Sequence, residues 1–163
     1  MPQIKNATPT YYNGVKYRSK LEARCAEILD KANIPFEYES LKMELLPKFV
    51  YMGKTYLPWT YKTDFIILGN VILEVKGFKQ ADNYVNKRKM ILKHLIDNNL
   101  PYSFYEIYSD SHLRSLLGKY RKLGNFHDAY IEYDNELKVK QKARRTKKRN
   151  KKLWKHYMIY HGK

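Results

Sequence analysis

Apolar positions recur along this chain with two different periods. Leu21, Cys25, Ile28 and Leu29 follow one another at three- and four-residue spacing, which predicts an amphipathic helix running to about Ala32. Ser19 precedes it with Glu22 three residues on, the pattern of a capping box, and Asn33-Ile34-Pro35 marks its end. Phe36 to Leu46 alternates well enough for one strand. Lys48 to Leu57 predicts a hairpin turning at Gly53-Lys54, after which Pro58 and Trp59 interrupt the pattern. A second, largely apolar hairpin spans Asp64 to Lys76. Helical spacing returns from Ala81 to Asn98, with Tyr84, Val85, Ile91, Leu92, Leu95 and Ile96 as the inner stripe. Pro101 precedes a strand from Tyr102 to Tyr108, and Ser109 or Asp110 can cap a short helix ending near Gly118. From Lys119 to Glu136 no period decides, and Asp128 to Tyr133 reads as strand or helix. Met1 to Lys16 is polar and tyrosine-rich and reads as an arm with little structure of its own.

The order of these elements predicts an α/β fold, a central mixed β-sheet flanked by helices. At 163 residues one domain is the default. The expected organisation is an arm at 1–16, a folded core at 17–136 and a basic C-terminal tail at 137–163. Net charge enters through that tail. Twelve Lys and Arg lie between Leu137 and Lys163 and no acid follows Glu136, which leaves +4 of the total +16 on the first 136 residues. Such charge points to a polyanion, most often nucleic acid. Lys138 to Arg149 is expected to be disordered alone and helical on DNA, with Trp154, Tyr157, Met158 and Tyr160 as an aromatic end-piece.

Other classes are disfavoured. The single cysteine, Cys25, allows no disulfide framework and suits a reducing cytoplasm. Met1 to Thr10 lacks the apolar run of a signal peptide, and no stretch is apolar for long enough to span a membrane. His94, His112, His127, His156 and His161 show no metal-ligand spacing.

The candidate chemistry sits in the second hairpin. Asp64 opens it, and Glu74 and Lys76 close it on one strand face, with Val75 turned the other way. Charges among oily residues are costly unless paired, and a divalent ion would neutralise the acids. Asp-x9-Glu-x-Lys resembles the signature of the PD-(D/E)xK nucleases. Tyr17-Arg-Ser-Lys-Leu-Glu22, Phe36-Glu-Tyr-Glu39, Asp64-Phe-Ile-Ile-Leu and Glu74-Val-Lys-Gly77 together resemble phage endonuclease I, a Holliday-junction-resolving family, over roughly Tyr17 to Lys79. Pro47 to Tyr56 is also similar to small phage nuclease-like proteins of unassigned function. The chain departs from the superfamily pattern at Thr63, where proline is usual, and in a longer connection between the first helix and Asp64.

The resemblance implies a restriction-endonuclease-like core and a metal-dependent endonuclease whose catalytic positions are Glu22, Asp64, Glu74 and Lys76. It implies Mg²⁺, with Mn²⁺ as substitute, one or two ions per site. Asp64, Glu74, the Val75 carbonyl and Glu22 would be the ligands, and Lys76 would orient water or stabilise the phosphorus centre. Ser19 is read as the helix cap. The implied partner is branched DNA, cut to a 5′-phosphate and a 3′-hydroxyl by a homodimer, strand-exchanged or not, in a host cytoplasm if the chain is phage-encoded. Candidate phosphate contacts are Arg18, Lys20, Arg24, Lys62, Lys79, Lys87, Arg88 and Lys89, and in the tail Arg144, Arg145, Lys147, Lys148 and Arg149. Alternatives are a nuclease for flaps, nicks or single strands, and a basic DNA-binding protein with a vestigial site.

Parity sharpens the expectation. A two-residue loop at Gly69-Asn70 would set Phe65 opposite Glu74 and leave Asp64 on the face of Val75. A site therefore requires a three- or five-residue connection, or a bulge near Asp64. Two such charges about 4 Å apart repel by roughly 4 kcal/mol at an effective dielectric near 20, so at least one acid should titrate high.

Overall fold

The computed structural model describes residues 7–77 and 82–161, without the side chains of 82, 83 and 156–161. Lys79 and the side chains of Tyr157, Met158 and Tyr160 lie outside the described residues. The chain divides into two compact units, Met1–Leu113 and Arg114–Lys163.

The first unit opens with a hairpin, β1 (Thr10–Tyr12) and β2 (Val15–Tyr17), where an unstructured arm was expected. The cause is local. Asn13 and Gly14 both adopt positive φ (48° and 78°), the conformation of a two-residue turn whose twist matches the strands. Helix α1 (Lys20–Lys31) follows, capped by Ser19, whose hydroxyl accepts the Glu22 N–H at 3.1 Å. Asn33 in the left-handed region ends it, with Ile34 N–H donating to Leu29 O at 3.0 Å.

The segment expected to be one strand from Phe36 to Leu46 breaks into two. Glu39 takes φ 51°, which separates β3 (Phe36–Tyr38) from β4 (Lys42–Leu46) and sends them to different partners. β5 (Phe49–Tyr51) and β6 (Lys54–Tyr56) form the expected hairpin, turned one residue earlier at Met52-Gly53. Behind Pro58 lies a strand that sequence reading missed, β7 (Trp59–Lys62), which pairs antiparallel with β4 across a bulge between Glu44 and Leu46. Then come β8 (Phe65–Ile67), β9 (Val71–Val75), α2 (Asp82–Asp97), β10 (Ser103–Ile107) and α3 (Asp110–Leu123).

The central sheet runs β10-β9-β8-β3. β10 is parallel to β9 and the other pairs are antiparallel, so the sheet is mixed, with α1 and α2 accompanying it. Ile66 and Ile72 join Met43, Tyr61, Ile91 and Leu95 in one buried cluster. By alternation Phe65 points the other way, into rings of Tyr17, Phe36 and Tyr38 at 5.2–6.2 Å. Each such buried side chain contributes about 1.5–3 kcal/mol. The α2 stripe is narrower than expected: Ile91 and Leu95 are buried, whereas Leu92 and Ile96 are exposed. Two buried residues four apart already fill the contact with the sheet cluster.

α3 extends beyond Gly118 to Leu123, and Gly124 at φ 69° stops it. The ambiguous stretch is helical. In the second unit α4 (Phe126–His161) begins at Asn125, whose side-chain oxygen accepts the N–H groups of His127 (2.8 Å) and Asp128 (3.2 Å). Lys119 ties α3 to α4 through Glu132 (2.8 Å) and Glu136 (2.5 Å). The basic stretch expected to be disordered by itself continues α4. It contains neither Gly nor Pro, and apart from Val139 and Thr146 it is built from Lys, Arg, Gln and Ala, all good helix formers. Among the described residues no helix is long and apolar enough to cross a membrane.

Candidate active site

The β8–β9 connection is Leu68-Gly69-Asn70, three residues, with Leu68 and Gly69 at φ 54° and 78°. The ladder pairs Ile67 with Val71, Ile66 with Ile72 and Phe65 with Leu73. One more step sets Asp64 against Glu74, the odd-loop register that a shared site requires. The Asp64 carboxylate closes the end of the hairpin by accepting the Val75 N–H at 2.7 Å. Thr63 explains its departure from proline: its own N–H donates to Leu41 O at 3.0 Å, a bond proline lacks.

Three carboxylates are buried around this point, Glu22 at 7 % exposure, Asp64 at 3 % and Glu74 at 3 %. Every one is bonded. Glu74 accepts from Lys76 Nζ and from the Tyr61 hydroxyl, both at 2.5 Å. Asp64 takes the Arg18 guanidinium. Arg18 also meets Glu39 at 2.7 Å, and Glu39 in turn pairs with Lys62 at 2.6 Å. Glu22 accepts from the Tyr38 hydroxyl (2.5 Å), the Ser19 hydroxyl (2.9 Å) and the Arg18 N–H (3.2 Å). It therefore serves the helix start and the acid cluster together.

Charge remains out of balance despite these bonds. Burial first and the Glu74 charge second push Asp64 up to about 7 from an ordinary 3.8. The Val75 N–H and Arg18 pull the other way, and Glu22 adds to the rise. Tyr61 is raised far above its usual range by burial and then by Glu74, so it stays a proton donor to that carboxylate. Burial, then the hydrogen bond to Glu22, carries Tyr38 up to about 12. Burial alone would lower Arg18, but Asp64, Tyr38, Glu22 and Glu39 raise it and keep it charged.

A second polar layer adjoins the first and was not foreseen from sequence. The parallel register sets Glu106 of β10 beside Glu74. Glu106 accepts from Tyr84 (2.8 Å), Arg88 (3.1 Å) and Tyr108 (2.5 Å). Tyr84 presents its ring to Lys76, Nζ to centroid 4.4 Å, and Lys87 lies 5.3 Å from the Tyr61 ring. A spacing signal for this layer did exist: Tyr84 and Arg88 are one helical turn apart on α2, and Glu106 and Tyr108 share a strand face.

The candidate phosphate contacts are dispersed. Arg18 belongs to the acid cluster, with its side chain half exposed. Arg88 is committed to Glu106, Arg24 pairs with Asp110 at 3.3 Å, and Lys62 is held by Glu39. Lys20 and Lys89 are exposed, as are Arg144, Arg145, Lys147, Lys148 and Arg149 along α4.

Buried carboxylates with an uncompensated charge are the donor set of hard cations such as Mg²⁺ and Mn²⁺. Asp64, Glu74, the Val75 carbonyl and Glu22 could hold one. As placed, no group of three or more His, Cys, Asp or Glu among the described residues forms a ready metal cage, and Arg18 and Lys76 sit against the carboxylates. No curated protein and no solved structure matches the chain. A family model matches residues 4–110, a span containing Glu22, Asp64, Glu74, Lys76 and Glu106, and the chain belongs to that family, described as Protein of unknown function (DUF1064).

Proposed function

We propose that this chain is a metal-dependent, structure-selective DNA endonuclease with a restriction-endonuclease-like core, cutting four-way junctions by phosphodiester hydrolysis. One observation carries the reading: a three-residue loop brings Asp64 into register with Glu74, and Lys76, just past the end of β9, reaches Glu74 at 2.5 Å. Buried carboxylates are costly to keep, so the convergence of Glu22, Asp64 and Glu74 calls for a chemical use. Asp64, Glu74 and Glu22 would bind Mg²⁺ or Mn²⁺, which supplies Lewis-acid stabilisation of the charge that develops on the phosphate. Lys76 remains 28 % exposed at its side chain, enough to meet a phosphate or its attacking water. Tyr61 fixes Glu74, Tyr84 fixes Lys76, and the half-exposed Arg18 can turn from Asp64 to a phosphate oxygen. Symmetric resolution needs two such sites, hence a homodimer. The products would be a 5′-phosphate and a 3′-hydroxyl.

The exposed basic surface of α4 favours a second reading, a DNA-binding protein that does not cut. A labelled four-way junction with Mg²⁺, challenged by unlabelled junction, flap, nicked duplex, linear duplex and single strand, separates the two. Cutting suppressed chiefly by unlabelled junction supports the proposal. Stronger suppression by flap or nicked DNA moves the substrate class, and retention on DNA without any cutting selects the second reading.

A further inference from the structure

All fourteen residues from Leu46 to Trp59 are exposed. Eight of them are large apolar or aromatic side chains: Leu46, Phe49, Val50, Tyr51, Met52, Tyr56, Leu57 and Trp59. The β4–β7 pair roots this ribbon in the core through Met43 and Tyr61, and the β5–β6 pair continues it to a tip at Met52-Gly53. Met52 and Tyr51 at the tip are 87 % and 63 % exposed. Phe49 and Tyr56 stack across the ribbon with centroids 4.8 Å apart and planes 6° from parallel. A lone two-stranded ribbon is marginal in water, and this one spends its apolar side chains where folding gains little from them.

Charge indicates what the ribbon meets. Between Glu44 and Asp64 there is no acidic residue, whereas Lys48, Lys54 and Lys62 all fall there. A two-fold contact with a second copy would bring Lys48 and Lys54 close to their own counterparts. Exposed rings interleaved with lysines match unstacked bases joined by phosphates. We propose that the 46–59 ribbon is a DNA-contact element for branched or single-stranded DNA. Tyr51, Met52 and the Phe49–Tyr56 pair lie against open bases, and Lys48 and Lys54 lie on the adjoining phosphates. This rests on the nucleic-acid part of the function proposed above and is independent of hydrolysis.

The test is equilibrium binding without divalent ions to a four-way junction, a single strand and a blunt duplex, each labelled and carrying 2-aminopurine at the branch or mid-strand. Tyr51→Ser/Met52→Ser should weaken junction and single-strand binding by about tenfold. It should abolish the 2-aminopurine response and leave duplex binding almost unchanged. Lys48→Gln/Lys54→Gln should reduce the slope of log affinity against log salt by about 2. Unchanged affinities and slopes in both ribbon variants overturn the proposal. So does conversion of a dimer to a monomer with unchanged affinity per chain, which would make the ribbon a contact between copies. Weakened binding by the ribbon variants when no form cuts DNA sustains this element and removes the nuclease. Wild-type cutting with normal ribbon-variant binding does the reverse.

Discussion

Two stretches of β-structure in the first unit break the usual sorting of residues in opposite directions. Between Asp64 and Lys76, on strands at the centre of the sheet, two acids are drawn inside and a half-buried lysine reaches in to one of them. Between Leu46 and Trp59, tyrosines, a methionine and a phenylalanine are left outside. Hydrophobic residues on a surface are common singly and polar residues are common outside, so neither composition alone is informative. A buried charge cluster and a contiguous apolar ribbon are. The first is costly to keep and the second is gained at no benefit to folding. In the proposed reading, their difference separates chemistry, which needs a dry preorganised site, from recognition, which needs an open face.

The comparison is sharpened most strongly by one residue type in both places. Phe65, enclosed by three rings, should cost about 3–5 kcal/mol as Phe65→Ala in urea unfolding. Phe49→Ala, which loses one stacked partner on an exposed ribbon, should cost below about 1 kcal/mol. Equal costs would mean that the ribbon belongs to the core. Next in size is Glu106→Gln, which keeps the shape but loses the charge that Arg88, Tyr84 and Tyr108 address; a loss of about 1–3 kcal/mol is expected by the same measurement.

Smaller effects appear as pH slopes. Asp64 is raised to about 7 in the folded chain, so its contribution is full below its unfolded value near 3.8 and is lost as pH rises through 7. Asp64→Asn should therefore flatten the fall in melting temperature between pH 4 and 7, and millimolar Mg²⁺ or Mn²⁺ should stabilise wild type more at pH 8 than at pH 5. His112 runs the other way. Burial lowers it to about 4, so its contribution is present above 6.5 and lost as pH falls through 4, and His112→Gln should remove that acid-side loss. The smallest change belongs to the ribbon tip: Met52→Ser should alter stability by no more than about 0.5 kcal/mol by thermal melting.

The two regions also differ in how far their residues announce themselves. The hairpin register was legible because side-chain parity along a strand is rigid, and an odd loop was the arrangement that lets Asp64 and Glu74 share a face. Asn13-Gly14 carried an equally local turn signal, but a polar, tyrosine-rich composition masked it. β7 was hidden because Pro58 and Trp59 look like an interruption, and its strand character comes from pairing with β4 across a bulge. The Tyr61–Glu74 and Arg18–Asp64 contacts join residues 13 and 46 positions apart, which no local spacing encodes. The mixed sheet followed from element order. Its edges, and the break at Glu39, depended on backbone conformations that a glutamate does not advertise.

The central claim is that the acids around the β8–β9 hairpin hydrolyse DNA. It is tested most directly by incubating a radiolabelled four-way junction with Mg²⁺ and comparing wild type with Glu74→Gln at matched binding. Wild type should introduce nicks near the branch, with 5′-phosphate ends, and Glu74→Gln should cut about a hundredfold more slowly or not at all while still binding. Equal cutting by both proteins, or binding by both with no cutting under Mg²⁺ or Mn²⁺, would contradict it.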